Sequence, residues 1–142
     1  MPARGLHMAL LTWNSRYSVG VKTLDSQHTV LFGLLNDLHA AMLKGQAQAL
    51  TGPMLRKLAE YTRTHFSTEE QMMAAAKYPG LAGHRIKHRD LTKQVEEYVT
   101  RFEHGEVTLN LQLMNFLRDW LTNHIQKVDG EYGPWLNEHG VR

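Results

Sequence analysis

The chain has no cysteine in its 142 residues. That absence excludes disulfides, iron–sulfur clusters, c-type haem attachment and thiolate zinc sites. It also fits a reducing compartment, so a cytoplasmic location is expected. Long apolar runs are missing as well. No stretch reaches the ~20 residues of a membrane span. The run Met8-Ala9-Leu10-Leu11 is too short for the core of an export signal. Met8 offers an alternative start, which makes residues 1–7 an extension. Charge of one sign is scarce: the formal net charge is +2, and acidic and basic residues are interspersed. No Lys/Arg block is interleaved with aromatics, so no nucleic-acid partner is expected. Repeats, low-complexity tracts and long linkers are absent too. One compact domain over 1–142, with a core that needs no staples, is the expectation.

What the chain does have is nine histidines. They are not a tag, because they are scattered through periodic segments. Gly and Pro punctuation divides those segments. Residues 1–22 read as an irregular arm containing Trp13 and Tyr17. Thr23 or Asp25 caps a first predicted helix that runs to Lys44 and stops at Gly45. Its apolar stripe is Leu31, Leu35, Leu38 and Met42. Thr51-Gly52-Pro53 signals a second start, with Pro in the first turn. That helix runs to Lys77, with Leu55, Leu58, Thr62, His65, Glu69, Met72 and Ala76 on its seam. Tyr78-Pro79-Gly80 separates it from a third helix, Leu81 to His104, whose seam includes His84, His88, Leu91, Val95, Tyr98 and Phe102. The fourth runs from Thr108 to Val128, with Leu113, Leu117, Leu121 and His124 in its stripe. Gly130 and Gly133-Pro134 end it before a short tail, 130–142, that carries Trp135. The 3/4 spacing and short connections predict an all-α fold: an antiparallel up-down four-helix bundle over 23–129.

Polar side chains occupy places where such a bundle needs leucine. His65 and Glu69 lie on the seam of the second helix, His84 and His88 on that of the third, and His124 in the stripe of the fourth. His28 lies one turn before Leu31. Residues four apart share nearly one helix face, ~6 Å apart along the axis, so each pair converges on one region. A single histidine on an apolar face is more often a hydrogen-bonded core residue. Two in-register pairs plus a histidine from each remaining helix are another matter. A buried carboxylate and several buried imidazoles without partners are very costly, and a metal centre satisfies them together. Asp129 follows His124 by five, about 140° round an ideal helix. It can join only if the last turn loosens or takes a π-type step. A carboxylate at a helix C-terminus opposes the macrodipole, which a metal also explains.

Seven donors exceed the four that one zinc takes, but they suit two octahedral irons. If both carboxylates bridge, the five imidazoles, the carboxylate oxygens and one oxo or hydroxo bridge leave a single coordination position open. One vacancy suits end-on binding of one small molecule.

The residues resemble the hemerythrins over nearly the whole chain, and most closely the single-domain bacterial hemerythrins. The resemblance rests on Trp13 with Tyr17-Ser18-Val19-Gly20-Val21, on Leu24-Asp25-Ser26-Gln27-His28 and on His65-Phe66-Ser67-Thr68-Glu69-Glu70. It continues in His84-Arg85-Ile86-Lys87-His88 and His124-Ile125-Gln126-Lys127-Val128-Asp129. It implies that His84, His88 and His124 hold a six-coordinate iron, His28 and His65 the iron with the vacancy, and that Glu69 and Asp129 bridge. It further implies reversible dioxygen binding as a hydroperoxide, without enzymatic turnover, at two iron ions (Fe2+/Fe3+) with an oxo or hydroxo bridge. Nitric oxide and small anions are alternative ligands. Sensing of dioxygen, nitric oxide or iron, and oxidase or peroxidase chemistry, are the competing functions. The carboxylate-rich di-iron enzymes use Glu-x-x-His pairs, and this sequence has none. A monomer is expected.

Leu121, one turn before His124, is expected to line the dioxygen pocket. Trp13, Trp120 and Trp135 are expected to anchor packing, Met72 and Met73 to fill core, and Phe66 to screen the site or pack. His39 is displaced from His28 by ~16 Å along its helix and cannot join it. His104 suits a helix C-terminus. His7 and His139 have no assigned role.

Overall fold

The computed structural model describes residues 10–45, 48–108 and 110–142; the side chains of residues 48, 49 and 127–129 also lie outside it. The first part of the arm, including His7 and Met8, is therefore outside the described residues. Four long helices follow: α1 (Lys22–Leu43), α2 (Gln48–Ala75), α3 (Leu81–Glu103) and α4 (Leu111–Asn123). A π-helical turn, His124–Asp129, carries α4 into α5 (Gly130–Glu138). Among the described residues there is no strand.

Two apolar clusters and a polar layer between them reveal the chain direction of each helix. One cluster contains Leu31, Leu35 and Leu38 of α1, Leu55 and Leu58 of α2, Val95, Val99 and Phe102 of α3, and Leu113, Leu117 and Leu121 of α4. The other contains Val19, Val21, Leu24, Met73, Ala76, Tyr132 and Leu136. The chain passes from the second cluster to the first along α1 and α3, and the opposite way along α2 and the α4–α5 rod. That is the up-down arrangement expected. Buried leucines such as Leu24, Leu35 and Leu38 each contribute ~1.5–3 kcal/mol relative to exposure.

Several boundaries differ from the pattern, for identifiable reasons. Neither Thr23 nor Asp25 caps α1; Val21 stands at the N-cap with no side-chain bond. The Asp25 carboxylate instead accepts from Ser18 Oγ at 2.6 Å and from Val19 N at 2.8 Å, pinning the arm to the first turn. Further up, Asn36 clasps Leu11 through both its backbone N–H and its carbonyl, at 2.9 and 2.8 Å. α2 starts nearly a turn before Thr51, placing Pro53 inside it. It ends at Ala75, not Lys77, because Lys77 turns left-handed (φ 56°) and Tyr78 N closes on Met73 O at 2.9 Å. Its seam passes through Met73, fully buried, rather than Met72. α4 begins after Asn110, whose side chain accepts from Leu113 N at 2.8 Å, a better cap than Thr108.

The largest difference is at the C-terminus. Gly130, Gly133 and Pro134 were expected to stop the fourth helix, yet the rod continues to Glu138. Burial of Tyr132 and Leu136 offsets the hydrogen bond that Pro134 cannot make. Gly133 has a packing role: a Cβ there lies 2.3 Å from the carbonyl oxygen of Val19. Only a bare backbone lets the arm cross α5 so closely.

Candidate metal centre

The layer between the clusters is polar and buried. His28, His65, Glu69, His84, His88 and His124 are each no more than 4% exposed. They come from four helices but meet because each stands at a seam position of its own helix. Their donor atoms fall into two groups, Glu69 with His84, His88 and His124, and Glu69 with His28 and His65. Within each group the donor atoms lie within 4.8 Å of one another. Glu69 belongs to both. Its Oε1 faces His65 Nε2 at 3.1 Å and His88 Nε2 at 3.5 Å, and its Oε2 faces His28 Nε2 at 3.6 Å.

Hydrogen bonds behind the rings fix which nitrogen faces inward. His65 Nδ1 donates to Gln27 Oε1 at 2.6 Å. His88 Nδ1 donates to Glu70 Oε2 at 2.8 Å. Burial pushes the His88 imidazole down to about 4, against the pull of the Glu69 and Glu70 carboxylates. The ring is therefore neutral near pH 7, with its Nε2 lone pair turned toward the layer. His65 Nε2 and His88 Nε2 make no hydrogen bond of their own. A lone pair facing a carboxylate oxygen at 3.1 Å is repulsive unless a cation lies between them. Two donors at ~2.1 Å from one metal and at right angles to each other are ~3 Å apart. The spacing and the donor chemistry, imidazole plus carboxylate without thiolate, both fit first-row metal ions such as iron.

Of the seven ligands expected, six converge. The side chain of the seventh, Asp129, lies outside the described residues. Its backbone closes the π-helical turn that starts at His124. A π turn aligns positions five apart, which is the loosening that a His124–Asp129 pair requires.

Three neighbours escaped the sequence reading. Gln27 and Glu70 are the acceptors just described, and both adjoin a predicted ligand in sequence. Tyr132, fully buried, donates its hydroxyl to Glu69 Oε2. Phe66 does screen the site: its ring stacks on His88 at 3.8 Å and 2° and lies 5.2 Å from His124. Trp13 caps the other side, 6.4 Å from the His28 ring and edge-on to Phe32. Trp135 anchors α5 to the turn just after α2 through a bond from Nε1 to Ala76 O at 2.8 Å. His104 caps α3, and His139 stacks on Trp135 away from the layer.

A four-helix bundle whose buried waist holds five imidazoles around a shared carboxylate defines a class, the histidine-rich metal-site bundles. A family model described as the hemerythrin HHE cation binding domain matches residues 19–136. The chain belongs to the hemerythrin family. It is 36% identical to a bacteriohemerythrin of Stenotrophomonas maltophilia, an alignment covering 93% of this chain and 85% of the relative. It is also 36% identical to a bacteriohemerythrin of Methylococcus capsulatus, covering 92% and 99%. A myohemerythrin of Sipunculus nudus is 31% identical, covering 76% and 88%. A crystal structure of wild-type hemerythrin superposes with a TM-score of 0.86 at 36% identity, covering 90% of this chain and 98% of that one.

Proposed function

We propose that this chain binds dioxygen reversibly at a di-iron centre held by His28, His65, Glu69, His84, His88, His124 and Asp129, as a carrier or store. The observation that carries this reading is the unequal division of five buried imidazoles about one carboxylate. When bound, the iron pair supplies the electrons that dioxygen takes up on binding and returns on release.

The residues divide the work. His84, His88 and His124 would hold one iron, and His28 and His65 the other, whose smaller set of imidazoles would leave room for the ligand. Glu69 spans both halves, and the Tyr132 hydroxyl holds its Oε2 in place. Asp129 would supply a second carboxylate to the pair. Gln27 and Glu70 keep protons on the outer nitrogens of His65 and His88, so their inner nitrogens stay free to ligate. Phe66 and Leu121, both buried, keep water from the centre. A single vacancy in a buried layer suits binding and release better than turnover. None of the described helices is long and apolar enough to cross a membrane. A monomer working in the cytoplasm completes the proposal.

The test is iron content together with optical spectra taken anaerobically and in air. Two irons per chain, with colour that appears on adding dioxygen and bleaches on its removal, are expected. One metal per chain, or colour that does not reverse, overturns the reading.

A further inference from the structure

Two of the rings, His88 and His65, turn their outer nitrogens to acceptors of different chemistry. His88 Nδ1 meets a carboxylate, Glu70, at 2.8 Å; His65 Nδ1 meets a neutral amide, Gln27, at 2.6 Å. The Glu70 side chain is one-quarter exposed and also accepts from Arg85 Nε at 3.3 Å. Arg85 is half exposed, so solvent weakens its counter-charge. Behind His88 the carboxylate keeps much of its negative field. An anion accepting from one imidazole nitrogen makes the other a stronger donor. An amide does so much less.

We propose that Glu70 and Gln27 act as a matched pair of positioning residues that make the two halves of the centre electronically unequal. Glu70 makes His88 an electron-rich ligand, which stabilises the higher charge on the three-histidine half. Gln27 keeps His65 a weaker donor, which holds the dioxygen-binding half toward the ferrous state. The pair thus sets how readily the centre oxidises without releasing its ligand. The inference rests on the di-iron reading above. It goes beyond that reading by assigning redox bias to two residues that touch no metal.

A further observation makes Glu70 adjustable. It forms part of the wall of an open cleft of about 940 Å³ between α2 and α3, along with Phe66, Arg85, Arg89 and His88 itself. Solvent ions reach Glu70 there, one side chain away from a ligand. Gln27 bonds His65 on another face, between α1 and α2.

The test is the reduction potential of the iron-loaded protein, with Mössbauer spectra of the two irons, for wild type, Glu70→Gln, Glu70→Asp and Gln27→Glu. Glu70→Gln raises the potential, with about a tenfold shift in the ratio of reduced to oxidised centre at fixed potential, matching the smallest effect that loss of such an outer partner has on metal affinity. Gln27→Glu lowers it by a similar factor and speeds autoxidation. Glu70→Asp restores wild-type behaviour, and each variant moves one Mössbauer doublet more than the other. Ratios of reduced to oxidised centre that stay within twofold, or potentials that move in the same direction in Glu70→Gln and Gln27→Glu, overturn the inference while two irons per chain leave the di-iron reading intact. Wild-type protein that binds fewer than two irons overturns both. If Glu70→Gln does not fold, the sign of the Gln27→Glu shift alone decides.

Discussion

Tyr132 on α5 reaches across the interior to donate its hydroxyl to Glu69 on α2, sixty-three residues earlier in the chain. The bond ties the last helical segment to the carboxylate that both histidine groups share. Tyr132→Phe deletes a donor to a charged, buried acceptor, a loss of about 1.5–3 kcal/mol. Urea denaturation of the loaded protein is expected to show that loss, and chelators are expected to strip iron roughly ten times faster. Unchanged chelation kinetics would show that Glu69 needs no such tether.

Leu121 is buried and one turn before His124. Leu121→Ala removes most of a core side chain, at a cost of about 2–5 kcal/mol. It also opens space on the His124 face. Faster autoxidation and faster uptake of small anions are expected, followed by stopped-flow spectroscopy. A variant that loses stability while both rates stay put leaves Leu121 as ordinary core.

Two glycines predict opposite outcomes for the same substitution. Gly133→Ala drives a methyl against the Val19 carbonyl, 2.3 Å away, and forces the arm off α5. A loss of about 1–3 kcal/mol is expected, as for other overpacked sites. Gly33 lies mid-α1 with nothing within 4 Å of an added Cβ. Gly33→Ala is expected to gain about 0.8–1 kcal/mol from helix propensity alone. Thermal melts of the pair decide both signs.

Metal removal is expected to cost stability on a similar scale. The inner nitrogens of His65 and His88 face a carboxylate in a buried layer. Free iron at a hundred times its dissociation constant adds about 2.7 kcal/mol by mass action. Calorimetry with and without chelator is expected to show a melting temperature that rises with free iron. A temperature independent of iron contradicts a resident metal.

The helices and the convergent buried donors were legible because both obey the same local rule. Seam positions recur every three or four residues, and His65, Glu69, His84, His88 and His124 stand on them. Gln27, Glu70 and Tyr132 were not legible. Each acts on a residue of another helix, and no spacing within one helix reports a contact made between helices. The shift from Met72 to Met73 shows a related limit: a straight periodicity drifts over a helix as long as α2. Gly133-Pro134 lies inside a helix despite its breaker chemistry for a third reason. Local breaker chemistry is a weak prior that burial of Tyr132 and Leu136 overrides.

The polar waist also bears on how the molecule comes apart. It splits the interior into two oily compartments that share no buried apolar residue. Without a cation to draw them together, the inner nitrogens of His65 and His88 face the Glu69 carboxylate unscreened, and the smaller compartment becomes a separate cooperative unit. That unit comprises the crossing of the arm over α5 and the first turn of α1. In the empty protein its amides are expected to exchange with solvent ahead of those in the larger compartment, whereas loading welds both into one. Cargo-binding chemistry and mechanical continuity are thus supplied by the same atoms, and a chain that loses its iron also marks itself, at one end, for proteolysis.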